Sequence, residues 1–351
     1  MTPELEGLER APDALSVSVD LPARFTDLDT EWTAVRQRCG LLDARFRGLL
    51  RLTGPDRTTF LQGMVTNNVA VLRDGQSTYA ALLTIQGKIV SDLRMFALAD
   101  ELWLDVPATR KAAVQTALEK YIVADDVEFV SEDTWAPLVA VEGPQAARVL
   151  VAVLGSTIEG LDPLAHRQLT FDGTPVRVAA VTHTGENGYL LFGQPGIASG
   201  LWEHCRATGA EPVGTEALNV LRVEAGIPWY GPDFDDSVLI AEAGLEKAIS
   251  YDKGCYLGQE VVKRIAARGQ VHRKLVGLRC DGEHVPPANT KLLHAGKEVG
   301  WTTSAVRSPA CAAIIALGYV KSECWSMGTE LQAAGMVARV VSLPFDARSS
   351  Y

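Results

Sequence analysis

The sequence contains no long hydrophobic run: none of its apolar stretches approaches the roughly 18 residues that a membrane-spanning helix needs. Its first 20 residues carry several acids and lack the basic, then apolar, pattern of a secretory signal. Positive charge is also scarce, because 33 Lys and Arg stand against 43 Asp and Glu, for a formal net charge of −10. Binding nucleic acid phosphates needs clustered Lys and Arg. We therefore expect a cytoplasmic protein that binds neither membranes nor nucleic acid directly.

Closely spaced cysteines are missing as well. The six cysteines are scattered along the chain, without the short-spaced pairs typical of zinc or iron–sulfur ligands. We expect no metal site, and we expect reduced thiols that mostly behave as small buried hydrophobic side chains. Hydrophobic residues make up 47% of the 351 residues, which indicates a globular protein of two or three domains.

A pattern of strand, Gly-Pro and helix occurs twice in the chain. Residues 49–61 have the sequence LLRLTGPDRTTFL, and residues 138–150 have LVAVEGPQAARVL. Further strands and a helix are predicted after each copy, at 78–121 and at 176–207. Gly and Pro are common turn residues, so the likeness also has a chance explanation. A duplication instead predicts two α+β repeats, ferredoxin-like in outline.

From Leu275 onward the chain changes character. Short strands are predicted at 274–279, 291–294, 298–303, 314–319 and 337–343, with Gly and Pro between them. This pattern is typical of a small antiparallel barrel or sandwich, and we expect the barrel. The expected fold class is α+β, with these parts: a flexible tail at 1–20, a first α+β domain at 21–135, a second at 136–272 and a C-terminal β-barrel domain at 273–351.

The segment at 249–273, ISYDKGCYLGQEVVKRIAARGQVHR, is the most unusual in the chain. Its apolar spacing predicts a helix from near Leu257 to Gly269, with Cys255 just before it. A helix N-terminus and the charge of Lys253 both favour a thiolate, so we expect Cys255 to be reactive. The alternative is a buried structural cysteine.

Residues 253–260, KGCYLGQE, resemble the KGCYxGQE signature of the YgfZ proteins and their mitochondrial iron–sulfur assembly relatives. The resemblance implies a tetrahydrofolate-binding fold shared with the glycine cleavage T-protein. It also implies an accessory role in assembling or repairing iron–sulfur client enzymes, including those that modify tRNA. The family's essential thiol corresponds to Cys255, and Lys253 is expected to act beside it.

The resemblance covers most of the chain. Residues 184–189, TGENGY, resemble the family's TGE loop, and 221–228, LRVEAGIP, resemble the end of its LR-x-EAG-x-P helix. Residues 87–93 are similar to the T-protein strand that carries its catalytic aspartate, which matches Asp92. A pairing with Arg94 on the same strand face is the alternative role for that carboxylate. On this resemblance we expect folate contacts from Asn67, Lys88, Glu186, Tyr189 and Gln259.

Two matching positions depart from the T-protein pattern. T-proteins bind the pterin edge with a Glu after the TGE loop and an Arg in the next helix, where this chain has Leu190 and Leu218. Two leucines cannot meet the polar edge of a heterocycle. We therefore expect a folate derivative to bind weakly or differently.

Several functions fit these residues. The hypothesis we favour from the sequence is a YgfZ-type accessory protein that acts through Cys255. The alternative is a tetrahydrofolate-dependent aminomethyltransferase or demethylase. A redox thiol enzyme would need a distant resolving cysteine such as Cys311, and a noncatalytic folate sensor is also consistent with the sequence.

Overall fold

The computed structural model describes residues 20–131, 134–158, 160–269 and 271–345, and its fold is α+β. Two sheets with helices are followed by a closed six-stranded antiparallel barrel, which confirms the expected fold class. The predicted tail lies, apart from Asp20, outside the described residues. Within those ranges, every helix is too short or too polar to cross a membrane.

The fold begins with a helix and a short strand, α1 (Leu28–Gln37) and β1 (Gly40–Asp43). Asp27 caps α1, because its side chain accepts from the Thr30 backbone amide at 2.9 Å. Although β1 precedes the first sheet in sequence, it pairs with strands whose residues lie at least 96 positions further along. The second sheet therefore contains residues from the predicted first domain.

The first sheet is antiparallel and carries two helices. Its strands are β2 (Arg47–Thr53), β3 (Ser77–Leu83), β4 (Ile89–Ala97), β5 (Leu102–Pro107) and β6 (Glu128–Phe129), and its helices are α2 (Arg57–Met64) and α3 (Lys111–Glu119). The strand order is β3-β4-β5-β2-β6. Leu61 of α2 and Val114 and Leu118 of α3 are fully buried, so both helices pack on the sheet through apolar side chains.

The second sheet has the same general build. Its elements are β7 (Ala136–Glu142), α4 (Ala146–Leu154), β8 (His166–Phe171), β9 (Thr174–Ala179), β10 (Gly188–Gly193), α5 (Ala198–Ala207) and β11 (Glu211–Pro212). The strand order is β11-β1-β7-β10-β9-β8. The predicted strand, Gly-Pro turn and helix occur in both layers, as β2 with α2 and as β7 with α4.

Two helices and a barrel complete the fold. The helices are α6 (Thr215–Glu224) and α7 (Gln259–Arg268), and the barrel strands are β12 (Arg273–Asp281), β13 (Lys291–His294), β14 (Lys297–Ser308), β15 (Ala313–Lys321), β16 (Glu330–Ala333) and β17 (Met336–Val341). Strand β12 pairs with both β15 and β17, which closes the barrel. Gly269 ends α7 in a left-handed conformation, as the sequence predicted.

The three layers meet around a shared core. One apolar cluster joins Ile89 of β4, Val223 of α6, Tyr256 and Leu317 of β15. Another lies between the two sheets and includes Phe96 of β4. Strand β4 therefore borders both junctions, and its side chains can face the space between the layers.

Candidate functional site

Asp92, on β4, is a buried carboxylate with an unused acceptor. Its side chain is 8% exposed, and Oδ2 accepts a hydrogen bond from the Tyr79 hydroxyl at 3.1 Å. Its Oδ1 is buried and makes no hydrogen bond within the described ranges. A buried carboxylate oxygen without a partner is costly, so an unpaired one is a candidate for binding a ligand.

Strand pairing explains how Tyr79 reaches Asp92. In the β3–β4 ladder Ala81 lies opposite Asp92, and Tyr79 lies opposite Arg94, so these residues share one face of the sheet. Arg94 forms its ion pair with Asp105 of β5 at 3.0 Å. The expected alternative, a structural pair between Asp92 and Arg94, is thus not the contact that Asp92 makes.

A recess of about 170 Å3 lies beside Tyr79, the hydrogen-bond partner of this carboxylate. Tyr79 lines it together with residues 225–228, 244–247 and the pair Leu343 and Pro344. These segments come from the first sheet, the chain after α6, and the chain after the barrel. The recess therefore lies where all three layers meet.

Tyr230 is near enough to Asp92 for the carboxylate charge to act on its phenol. The Arg110 guanidinium stacks over the Tyr230 ring at 4.4 Å from its centroid. Burial raises the pKa of Tyr230, the charge of Arg110 opposes this, and the negative charges of Asp236, Asp235 and Asp92 add to the rise. The Tyr230 phenol therefore stays protonated at neutral pH and remains able to donate a hydrogen bond.

The other residues predicted to bind folate are spread over the layers. Asn67 is half-buried and donates to the Tyr79 carbonyl at 2.8 Å, one step from Asp92. Lys88 is exposed and donates to the Asp236 carbonyl at 2.9 Å. Gln259, the first residue of α7, is buried, and its Oε1 has no hydrogen-bond partner in the described part of the chain.

The remaining two predicted contacts lie on or next to the second sheet. Glu186 accepts from Arg36 at 2.7 Å in the loop before β10, and Tyr189 lies on β10 opposite Val141. No hydrogen bond or ion pair in the described residues joins Glu186 to Asp92. The structure thus bonds Asn67 to Tyr79, the hydrogen-bond partner of Asp92. It places Glu186 in a separate ion pair with Arg36.

The Cys255 segment is fixed to the first layer by two close approaches. Gly258 has a φ of +80°, and a Cβ there would lie 2.5 Å from the Thr84 carbonyl oxygen. Gly87 has a φ of +76°, and a Cβ there would lie 2.7 Å from the Cβ of Val261 on α7. Both positions require glycine, because any other residue would clash while holding a left-handed conformation.

Lys253 and Cys255 do not have the relation that the sequence suggested. The Lys253 ammonium is 6% exposed and donates to three backbone carbonyls, so it is occupied away from solvent. Helix α7 begins at Gln259, which places Cys255 before its first turn, where helix-dipole effects are weak. The expected thiolate activation therefore lacks both of its stated causes, and a catalytic role for Cys255 stays a prediction.

Exposure alone should still make Cys255 the most reactive thiol. Cys255 is exposed, whereas burial raises the pKa of Cys39 and Cys205 to about 12 and that of Cys280 to about 11. We expect iodoacetamide at pH 7.5 to modify Cys255 at least about tenfold faster than these three. Peptide mass spectrometry over time measures this, with urea-unfolded protein as the control in which the rates converge. Equal rates in the native protein would contradict the burial.

Comparison with known proteins decides the family. The profile of the GCVT N-terminal domain matches residues 16–253, which is more than half of the chain. The profile of the glycine cleavage T-protein C-terminal barrel domain matches residues 273–346. The chain belongs to the glycine cleavage T-protein family.

Relatives in this family match over nearly the whole chain. An aminomethyltransferase of Shouchella clausii is 31% identical, covering 94% of this chain and 92% of the relative. One from Streptomyces coelicolor is 30% identical, covering 93% of this chain and 91% of the relative. The crystal structure of glycine cleavage system aminomethyltransferase T from Bartonella henselae has a TM-score of 0.89 at 26% identity, covering 98% of this chain and 96% of that one.

These relatives show that the predicted main function is wrong. Relatives that match more than nine-tenths of this chain are named aminomethyltransferase. This finding contradicts the hypothesis of iron–sulfur protein maturation. The same comparisons support neither the YgfZ branch, nor iron–sulfur client enzymes, nor a part in tRNA modification. The prediction gave eight residues around Cys255 more weight than the similarity of the other three hundred.

The positions expected to contact the pterin edge are part of the core of this protein. Leu190 of β10 is fully buried, and Leu218 of α6 is 2% exposed. Both belong to the apolar cluster between the sheets, with Phe46 and Phe192. The free oxygen of Asp92 could accept from a nitrogen of tetrahydrofolate. Leu190 and Leu218 offer no polar group to a pterin edge.

Sequence analysis missed Tyr79, Arg110 and Tyr230. Strand alternation was the available signal for Tyr79, because an antiparallel partner of β4 must place a side chain diagonal to Asp92. Arg110 and Tyr230 are 120 residues apart in the chain and carry no local motif. Only the tertiary fold brings those two together.

Proposed function

We propose that this protein is a tetrahydrofolate-dependent transferase of the aminomethyltransferase type. Support comes from the whole-chain similarity to proteins of that name and from the shared fold. The observation that carries the proposal is the free Oδ1 of Asp92, a buried acceptor whose other oxygen is bonded to Tyr79, a residue that lines a recess between the layers.

The reaction moves one carbon and balances without an oxidant. An aminomethyl group on a carrier protein gives its methylene carbon to two nitrogens of tetrahydrofolate. The bonds from that carbon to the carrier and to the amino group break. The two protons lost from the folate nitrogens go to the carrier atom and to the ammonia that leaves.

Asp92 would act as the acceptor in this transfer. Its free oxygen would take a hydrogen bond or a proton from a donor N–H of the folate, which is the role of a general base. Tyr79 holds the other carboxylate oxygen, so the free oxygen keeps a fixed direction. Burial between the layers keeps water away and strengthens the electrostatic effect of the carboxylate.

The pterin edge would be held differently from the family pattern, and weakly. With Leu190 and Leu218 in the core, polar contacts must come from other groups, and Asn67, Lys88, Glu186, Tyr189 and Gln259 remain our candidates. Gln259 has the strongest support among them, because its buried Oε1 lacks a partner in the described part of the chain.

The test is an assay of the whole protein with tetrahydrofolate and the aminomethylated carrier protein of a glycine cleavage system. We expect methylenetetrahydrofolate and ammonia in equal amounts, and calorimetry should give tetrahydrofolate affinity about tenfold or more below that of the Bartonella henselae enzyme. Absence of both products at saturating folate would overturn the proposal. Equally tight binding would show that the two leucines matter little.

A further inference from the structure

One buried lysine organises a turn that borders the candidate site. The Lys253 ammonium donates to the carbonyl oxygens of Gln62 at 2.7 Å, Val65 at 2.6 Å and Asn67 at 2.8 Å. All three acceptors belong to the end of α2 and the chain directly after it. We call residues 62–67 the α2 turn. A side chain from the distant 253–260 segment thus determines the shape of this turn.

The α2 turn is bonded to β3 at Ala81, directly opposite Asp92, and at Tyr79, two residues earlier. Asn67 donates from its side chain to the Tyr79 carbonyl at 2.8 Å. Thr66 donates its backbone N–H to the Ala81 carbonyl at 3.0 Å, and its hydroxyl accepts from the Ala81 amide at 2.8 Å. Ala81 lies opposite Asp92 in the ladder, and the Tyr79 hydroxyl donates to Asp92 itself. The contacts therefore form an unbroken path from Lys253 to the carboxylate.

An ammonium suits this place for a specific reason. It has three donors, and three carbonyl oxygens converge on it, so every donor is matched. The other group packed against it is the Tyr256 ring, whose centroid is 5.1 Å from the nitrogen. Within the described residues Lys253 forms no ion pair. Burial lowers the pKa of Lys253 to about 8, while the three carbonyls act in the opposite direction.

We propose that Lys253 is a positioning residue. Through the α2 turn and Tyr79, it holds Asp92 in the place that the transfer reaction needs. This inference rests on the proposed function for its catalytic consequence. All three donors of the lysine are taken by backbone carbonyls, so we expect it to act on the reaction through the carboxylate and not through the substrate.

Replacing Lys253 with methionine keeps the length of the side chain and removes all three donors. We expect kcat to fall between about 10- and 100-fold, because small displacements of a catalytic group have effects of that size. The KM for tetrahydrofolate should change less than about threefold. Lys263→Met, at an exposed lysine of α7, is the matched control and should behave as wild type.

A pH profile separates positioning from a merely structural role. In the wild type, kcat should decline as pH rises through about 8, because the neutral amine has two donors for three carbonyls. Lys253→Met should lack this alkaline limb. A kcat within threefold of wild type with the limb intact would overturn the proposal.

A second measurement needs no turnover. Hydrogen exchange of β3, at residues 77–83, should be faster in Lys253→Met than in wild type and unchanged in Lys263→Met. If the wild type shows no transfer activity, the proposed function fails, and this exchange still decides whether Lys253 holds β3. Should Lys253→Met not fold, Asn67→Leu breaks the next link, its side-chain bond to Tyr79, and takes its place in the hydrogen-exchange measurement, where faster exchange of β3 is again expected.

Discussion

Replacing Asp92 with asparagine is expected to lower the transfer rate at least about 100-fold, since loss of a positioned general base costs 10²–10⁴-fold. Asparagine has nearly the same size and can still accept a hydrogen bond from the Tyr79 hydroxyl. It cannot take up a proton, and it carries no negative charge at this buried position. The measurement is kcat from methylenetetrahydrofolate formation at saturating folate and carrier.

Two further variants make the result specific. Asp100→Asn, at an exposed position after β4, should leave the rate unchanged. Tyr79→Phe removes one hydrogen bond to Asp92, and we expect a loss of about 3- to 10-fold, which is the usual effect of one such bond. An Asp92→Asn protein with kcat within a few-fold of wild type would remove Asp92 from the mechanism, although the fold and family would stand.

The sequence predicted several strands from nearby turn residues, but it missed others. Strand β13 was predicted with the bounds it has in the structure, because Pro and Gly mark the chain on either side of Lys291–His294. Strand β16 was missed although Glu330 to Ala333 alternate between exposed polar and buried apolar residues, a signal that was available in the sequence. Strand β1 was missed for another reason: its partners lie from 96 to more than 160 residues away, and pairing at that distance leaves no local signal.

The candidate site was predictable where a residue keeps a family position. Asp92 was identified by its place in a matched strand, and its burial and free oxygen agree with a functional role. Lys253 was also singled out, but for the wrong reason. Proximity in sequence suggested that it would act on Cys255, two residues away, whereas its side chain turns to carbonyls nearly two hundred residues earlier.

Charged residues buried between layers were the part that sequence could not foresee. Glu224 resembled part of a helix-end motif, and nothing in that motif indicates that its side chain is fully buried. In the structure it is the meeting point of α1, α6 and the barrel. Its Oε2 accepts from Arg36 at 2.5 Å and from the Trp32 indole at 2.9 Å. Its Oε1 accepts from the Ser308 hydroxyl and from the Ala310 amide.

Replacing Glu224 with alanine is therefore expected to lower the free energy of unfolding by about 3–5 kcal/mol, the usual cost of removing one partner of a buried ion pair. The Arg36 side chain is 2% exposed and would lose its ion pair with Glu224 while keeping the one with Glu186, and the Ser308 and Trp32 donors would lose their acceptor. Urea unfolding followed by tryptophan fluorescence gives the free energy. Glu224→Gln should cost less, because it keeps hydrogen-bonding atoms in place.

The matched control for Glu224 is the ion pair between Arg24 and Glu216, whose side chains are 45% and 31% exposed. Glu216→Ala should cost less than about 1 kcal/mol, as is usual for a pair in contact with solvent. The two carboxylates lie at opposite ends of the same helix, α6, and the helix-dipole contribution of about 0.3–1 kcal/mol is smaller than the expected difference. If Glu224→Ala proved as mild as Glu216→Ala, then water must reach Arg36, and the contact between α1, α6 and the barrel would be looser than the structure shows.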